Sequence, residues 1–376
     1  MEAHFLSLGF GGILALGIEV FIYTTVSVTI VFVSKADSTG FVPVSSPRFS
    51  ARAVASAFLQ WLVMLQDGRR RVVVSLFARA QPQYLFAGSS ECEEKHILDD
   101  RQLIRWWARV LDSVISANAE RRCFMTVPGY SAHELRQFYP LGSTSWQPGY
   151  PLVEVLGRDD VPIRCLLPRF PDDPKARFMQ DLDDEVGLLE GSPSKKRNGQ
   201  WANIRSLDQF WTAMEFRQEC SSGRMVGFIW VLYTPHLALE ATPQPSETDR
   251  KSSQKKKMRR EPRKGPIIPR QPRVKVPAAE EKGPDHALVL SREKYDKAIQ
   301  TLLTLDFANA EIATQSTRKW AAEVCTMSGL PEGEDFQAEV EGCAAMEGAR
   351  DQNNRKRKEV NVLDASMVRK RRKDGN

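Results

Sequence analysis

The chain has 376 residues, of which 42% are hydrophobic and 27% charged, and carries a formal net charge of +6. That length holds one large domain or two ordinary ones, and the moderate basic excess suits a nucleic-acid or chromatin environment while saying little about fold. The six cysteines, Cys92, Cys123, Cys165, Cys220, Cys325 and Cys343, include no C-x-x-C pair and no histidine at ligand spacing, which argues against a structural zinc site or a disulfide framework and for idle thiols in a reducing compartment.

The composition joins two unlike parts. Nearly all Trp and Phe fall before residue 238, and beyond it the chain is basic and rich in Pro, Gln and Ser. Residues 5–33 are almost wholly apolar, with Glu19 the sole formal charge. By length this is a membrane-span candidate. Against that, Gly9, Gly11, Gly12 and Gly17 crowd its first half, and Phe21 to Val33 is β-branched and reads as a buried strand or strand pair. The opening lacks the positive region of a signal peptide, and so much uncovered apolar sequence reads as an incomplete start. Ser34-Lys-Ala-Asp-Ser-Thr-Gly40 follows as a polar turn, and Ser45-Ser-Pro-Arg48 as a loop.

A helix is predicted over Ala53–Leu65, with Val54, Phe58, Trp61, Leu62 and Leu65 on one face. Asp67-Gly68 ends it and Arg71–Phe77 is a short strand. Asp99 or Asp100 caps the next helix, whose apolar face is Leu103, Trp107, Val110, Leu111 and Val114, with Trp106 turned aside because adjacent residues cannot share a helix face. Ser131-x-x-Glu134 and Ser206-x-x-Gln209 are capping boxes. Met225–Tyr233 is a near-continuous apolar run and reads as a central strand. The sum is a mixed α/β domain over residues 1–238. Residues 239–286 form a basic, Pro-rich linker expected to be disordered. Residues 287–328 hold a helix pair, with Ser291 as cap and Tyr295, Ile299, Leu302, Leu303, Ile312, Trp320 and Val324 facing inward, which docks back on the main domain. Residues 329–376 read as a disordered tail ending in basic clusters of nuclear-import or DNA-contact type. No Walker loop, dinucleotide fingerprint, nucleophile elbow or H-E-x-x-H motif is present.

The most informative stretch is Arg169-Phe-Pro-Asp-Asp-Pro-Lys-Ala-Arg-Phe178. Locally, Asp173-Pro174 is a helix start. It also sets a carboxylate pair beside Lys175 and Arg177, a grouping suited to proton handling. A helix N-terminus stabilises the Asp173 anion and weakens it as a base unless burial pushes the other way.

Several segments together resemble the fungal Rtt-type histone acetyltransferases. They are Phe32-Val-Ser-Lys-Ala-Asp37, Gln83-Tyr-Leu-Phe86, Lys95-His-Ile-Leu98, Arg105-Trp-Trp107 with Leu111-Asp112, and above all Phe170–Phe178. The resemblance covers most of residues 20–238 and the C-terminal helix pair. It implies an α/β acetyl-CoA-binding fold related to the CREB-binding-protein acetyltransferases, with a mixed central sheet flanked by helices. It further implies acetyl transfer from acetyl-CoA, without a metal, to lysines of histone H3, in chromatin assembly and the DNA damage response. The implied partners are histone H3–H4, an anti-silencing-function-type histone chaperone and, in some species, a nucleosome-assembly-type chaperone. The basic segments 251–274 and 355–373 would hold the acidic chaperone or DNA, and the location is the nucleus.

Carried over residue by residue, Asp173 matches the proton-handling carboxylate and Asp172 its neighbour, with Trp107 also catalytic. Ala36, Ser45, Ser46, Pro47, Arg48, Phe49, Phe77, Gln81, Tyr84, His96, Ile97, Leu98 and Trp106 match the acetyl-CoA lining. Asp37 and Arg177 match further active-site positions, Lys175 a buried lysine that acetylates itself, and Arg48 or Lys35 suits the cofactor's phosphates. The chain departs from the family in a shortened segment between Leu65 and Arg71, where a chaperone-contacting loop belongs. The alternative reading is a non-catalytic chromatin-binding relative of the same fold.

Overall fold

In a computed structural model the structure describes residues 1–41, 49–66, 68–156, 161–189, 201, 203–217, 224–236, 288–329 and 340. The apolar N-terminus is not one span but three antiparallel strands. They are β1 (Glu2–Phe10), β2 (Ile13–Thr24) and β3 (Val28–Ser38). Gly11 and Gly12, with φ of 56° and 82°, make the first reversal in a backbone region that side chains disfavour. Among the described residues no helix is long and apolar enough to cross a membrane.

β3 runs on through Ser38, so the polar turn expected at residues 34–40 is largely strand. Within it Lys35 and Asp37 are each met by groups of opposite charge. The chain then crosses through α1 (Ala51–Met64), capped by Ser50, to β4 (Arg71–Arg79), which lies parallel to β3. Next come α2 (Asp100–Asp112), β5 (Ala119–Thr126), α3 (Ala132–Leu135), β6 (Trp146–Pro148), α4 (Leu152–Leu156), α5 (Ile163–Leu166), α6 (Pro174–Leu189), α7 (Leu207–Glu215) and β7 (Val226–Pro235). Finally α8 (Arg292–Thr304) and α9 (Ala310–Ser328) form a C-terminal pair.

Local signals account for most of these ends. Asp99 and Gln102 complete a capping box on α2, as Ser131 and Glu134 do on α3. Ser206 caps α7, but Gln209 bonds the N–H of Arg205, so the expected second box is only half made. Ser291 and Asn309 cap α8 and α9.

The seven strands lie in the order β1-β2-β3-β4-β7-β5-β6. Alternation sends Val72, Val74, Ile229, Val231 and Tyr233 to the face covered by α1 and α2, and Val73, Phe228, Trp230 and Leu232 to the opposite face, against Phe170, Phe178, Phe210 and Met214. A third cluster seats the helix pair, with Leu302, Phe307, Trp320 and Val324 against Leu14, Leu85 and Phe86. Residues 239–286 and the basic clusters lie outside the described residues.

Candidate active site

The loop between α5 and α6 is a tight turn closed by the Asp173 N–H donating to the Phe170 carbonyl at 3.4 Å. Asp172 within it has φ of 55°, the one non-glycine residue in the left-handed region among the described residues. Asp173 caps α6 as the sequence suggests. Its carbonyl accepts from the Ala176 N–H at 2.9 Å and its carboxylate Oδ1 from the Lys175 N–H at 3.1 Å. Its Oδ2 accepts from Lys175 Nζ.

The pair is closed off from water, with side chains 0% (Asp173) and 4% (Lys175) exposed. The amine also stands 4.8 Å from the centroid of the Phe170 ring, which stacks on Phe32 of β3 at 4.1 Å. Burial outweighs the cap and the neighbouring cation and holds the Asp173 carboxyl above its usual range. Burial likewise pulls the Lys175 amine below its own range despite the carboxylate. Each shift favours the uncharged form, so the proton is held between two groups brought towards each other in basicity. The Tyr150 hydroxyl, bonded to the Leu166 carbonyl at 2.6 Å, is held well above its ordinary range by burial and then by Asp173.

Asp172 faces outward, its side chain 64% exposed, with one carboxylate oxygen 2.8 Å from Lys35 Nζ. The same amine lies 3.4 Å from Glu19, which accepts from the Tyr295 hydroxyl at 3.0 Å. Lys35 was a candidate for a cofactor phosphate; its amine is instead committed to two carboxylates, because the strand carries it onto the loop's side of the sheet. The sequence reading named Glu19 as a lone charge and Tyr295 as an inward-facing helix residue, but assigned neither to the site. A lone Glu in an apolar strand was the available signal, since a buried carboxylate demands a partner.

Of the residues expected to line a cofactor, the described ones come from two neighbouring strands, β3 and β4, and the segments that follow them. β3 and β4 are parallel, so Ala36 and Phe77 both approach their carboxyl ends, where the N-terminus of α1 and the loop carrying Gln81, Tyr84, His96, Ile97 and Leu98 also lie. The Asp100 carboxylate pins α2 there, accepting from the N–H groups of Ala80 and Met225 at 3.0 Å each. The set nonetheless divides between the faces. Phe77 packs on the Asp173 side, 6.1 Å from Phe32, whereas Ala36, Phe49 and Trp106 pack against the core under α1 and α2.

His96 and Ile97 are exposed, Leu98 is half-buried, and the Tyr84 hydroxyl is bonded to the Arg79 carbonyl. Asp37 is a structural knot: it accepts from the N–H groups of Tyr84, Leu85 and Phe86 at 2.7, 2.9 and 3.2 Å and pairs with Lys95 at 2.9 Å. Trp107 is not brought to Asp173. It is 6% exposed in the core across the sheet, with the Trp106 ring edge-on at 4.8 Å. Arg177 is exposed beside the loop. Ser45, Ser46, Pro47 and Arg48 lie outside the described residues.

A buried acid–amine pair next to an exposed, clamped carboxylate can hold and redirect a proton beside the carboxyl end of β3. The comparisons bear on what uses it. The family model described as the histone acetyltransferase KAT11-type domain matches residues 1–66 and 51–323. A histone acetyltransferase rtt109 of Aspergillus flavus is 35% identical over 99% of this chain and 81% of its own length. One of Schizosaccharomyces pombe is 33% identical over 56% of this chain and 54% of its own. The crystal structure of Rtt109 from Aspergillus fumigatus superposes with a TM-score of 0.70 at 37% identity, covering 87% of this chain and 85% of that one.

Proposed function

This chain belongs to the KAT11-type histone acetyltransferase family, and from that premise we propose that it moves acetyl groups from acetyl-CoA to lysines of histone H3, using the Asp172–Asp173 loop. The observation that carries the reading is the Asp173–Lys175 pair, buried at the start of α6 directly behind the exposed Asp172 carboxylate. A substrate ammonium must lose a proton before it can attack; the exposed Asp172 is the carboxylate placed to meet it, and the buried Asp173–Lys175 pair behind Asp172 sets the local field.

The residues at the sheet end fit such a co-substrate. Half-buried Phe49, Phe77 and Trp106 and the exposed Ile97, at 44%, leave apolar surface uncovered there. When bound, acetyl-CoA supplies the acyl group as a thioester. The protein's part is separate. Because the Asp173 side chain is sealed behind Lys175, its charge acts through the loop, and Asp172 is the carboxylate an incoming lysine meets. Lys175, an amine whose proton is weakened by burial, has the character of a nucleophile and is the proposed site of self-acetylation. Trp107 acts by holding α2, and Asp37 by shaping the Tyr84–Phe86 wall. Ser45, Ser46, Pro47, Arg48 and Arg177 enter through the resemblance alone.

Delivery of H3–H4 by an anti-silencing-function-type or nucleosome-assembly-type chaperone, work in the nucleus during chromatin assembly and the DNA damage response, and DNA contact through segments 251–274 and 355–373 complete the proposal. So does the division into a core of residues 1–238, a linker of 239–286, a docked helix pair of 287–328 and a basic tail. The test is transfer of labelled acetyl from acetyl-CoA to H3–H4 with its chaperone. Transfer that collapses in Asp173→Asn supports the reading; a folded wild type that transfers nothing sinks it in favour of a non-catalytic chromatin protein.

A further inference from the structure

Lys35 stands on the loop's side of the sheet only because β3 is irregular. Val31 and Val33 face α1 and α2, while Ile30 and Phe32 face the Asp173 loop. Strict alternation would send Lys35 the way of Val33. The register shift pairs Val20 with Val33 and Glu19 with Lys35, leaving Ser34 as an extra residue. Lys35 thereby joins Glu19 on the loop's face. The bulge satisfies nothing for Ser34 itself, whose hydroxyl is buried without a hydrogen-bond partner. Its effect is to aim one amine.

That amine holds Asp172 at 2.8 Å in the left-handed conformation that precedes Asp173, and is braced at 3.4 Å by Glu19. Glu19, its side chain 4% exposed, is braced in turn by Tyr295 of α8 at 3.0 Å. A lone exposed ion pair contributes little; a network whose central carboxylate is buried has to be complete, because an unpaired member is costly. Burial works against the Lys35 charge, but Asp172 and Glu19 outweigh it and hold the amine above its ordinary range.

We propose that Lys35 is a positioning residue for acetyl transfer, clamping Asp172 so that Asp173 and Lys175 keep their geometry, and that Tyr295 makes the C-terminal helix pair part of the clamp. This rests on the acetyl-transfer reading above and adds to it a physical route from α8 to the loop.

The experiment takes the full chain as Lys35→Met, Lys35→Arg, Tyr295→Phe and the Lys35→Met/Tyr295→Phe double variant, with amide hydrogen exchange beside steady-state kinetics. Lys35→Met is expected to lower kcat about tenfold or more while KM for acetyl-CoA stays within about twofold. The Asp173, Lys175 and Ala176 amides should exchange faster and those of β7 should not change. Tyr295→Phe should act in the same direction, more weakly, and add nothing in the Lys35→Met background. Lys35→Arg should recover most of the rate. A folded Lys35→Met with unchanged kcat and unchanged exchange at these amides overturns the proposal, as does faster exchange spread evenly over β7 with kcat per folded molecule retained. Hydrogen exchange does not require that the wild type transfer acetyl, so failure of the clamp and failure of the proposed reaction are told apart.

Discussion

The carboxylate of Asp173 accepts from both the backbone N–H and the Nζ of Lys175, two residues on, and both side chains are buried. An acid and an amine so close, in so dry a place, form one titrating unit, and its state sets the field at the exposed Asp172.

Removing the charge of Asp173 while keeping its shape separates cap from catalysis. Asn at this position can still accept from the Lys175 N–H, so α6 should keep its start, whereas acetyl transfer should fall about 100-fold or more. The orphaned amine should also cost stability, up to about 3–5 kcal/mol for a broken buried pair, reduced here because Lys175 can shed its proton. Adding Lys175→Met should restore thermal stability without restoring the rate. Transfer rates and melting temperatures measured for the wild type and the two variants decide this, and a rate recovered along with stability would reduce Asp173 to a helix cap.

The pH dependence follows from the directions of the two shifts. Asp173 titrates in the fold above its unfolded value of about 3.9, so its protonation contributes stability that is fully present below that value and lost as pH rises through the folded one. Lys175 titrates below its unfolded value of about 10.4, so its contribution is present above that value and lost as pH falls through the folded one. The acid limb of the kcat/KM profile should therefore lie above the ordinary carboxylate range in the wild type and be absent in Asp173→Asn. An unshifted limb common to both would place the controlling group elsewhere.

The neighbouring tryptophans should fail in different ways. Trp107 is buried across the sheet from the loop, so Trp107→Ala should destabilise by about 3–5 kcal/mol and lose activity in proportion to lost folded protein. Trp106 is half-buried at the sheet end, so Trp106→Ala should raise KM for acetyl-CoA with little change in melting temperature. Calorimetry beside kinetics distinguishes the two, and a Trp107→Ala that stays folded but is inactive would restore Trp107 to the site.

Thiol labelling tests the core. Cys123 lies in β5, fully buried, its thiol pushed up to about 12 by burial first of all, and the thiolate is the reactive form. Cys165 is exposed. Native alkylation near neutral pH, followed by mass spectrometry, should modify Cys165 and spare Cys123 until denaturant is added; equal native labelling would contradict this packing.

Helix caps, the Asp173-Pro174 start, the apolar strand before Pro235 and the amphipathic face of α2 were legible in sequence because each is a local event of propensity or periodicity. So was the family resemblance, carried by the phrase around Asp172 and Asp173. Three things were decided only by the tertiary structure. The apolar N-terminus became three strands because neighbouring strands were there to take up its backbone hydrogen bonds. Asp173 was raised rather than lowered in basicity because the packed fold buries it at the start of α6, and desolvation then exceeds the pull of Lys175 and of the backbone N–H groups. Lys35 reached Asp172 because a single bulged residue reversed the alternation of β3. Period-two reading assigns faces by counting along one chain, and a bulge exists only in the register between two.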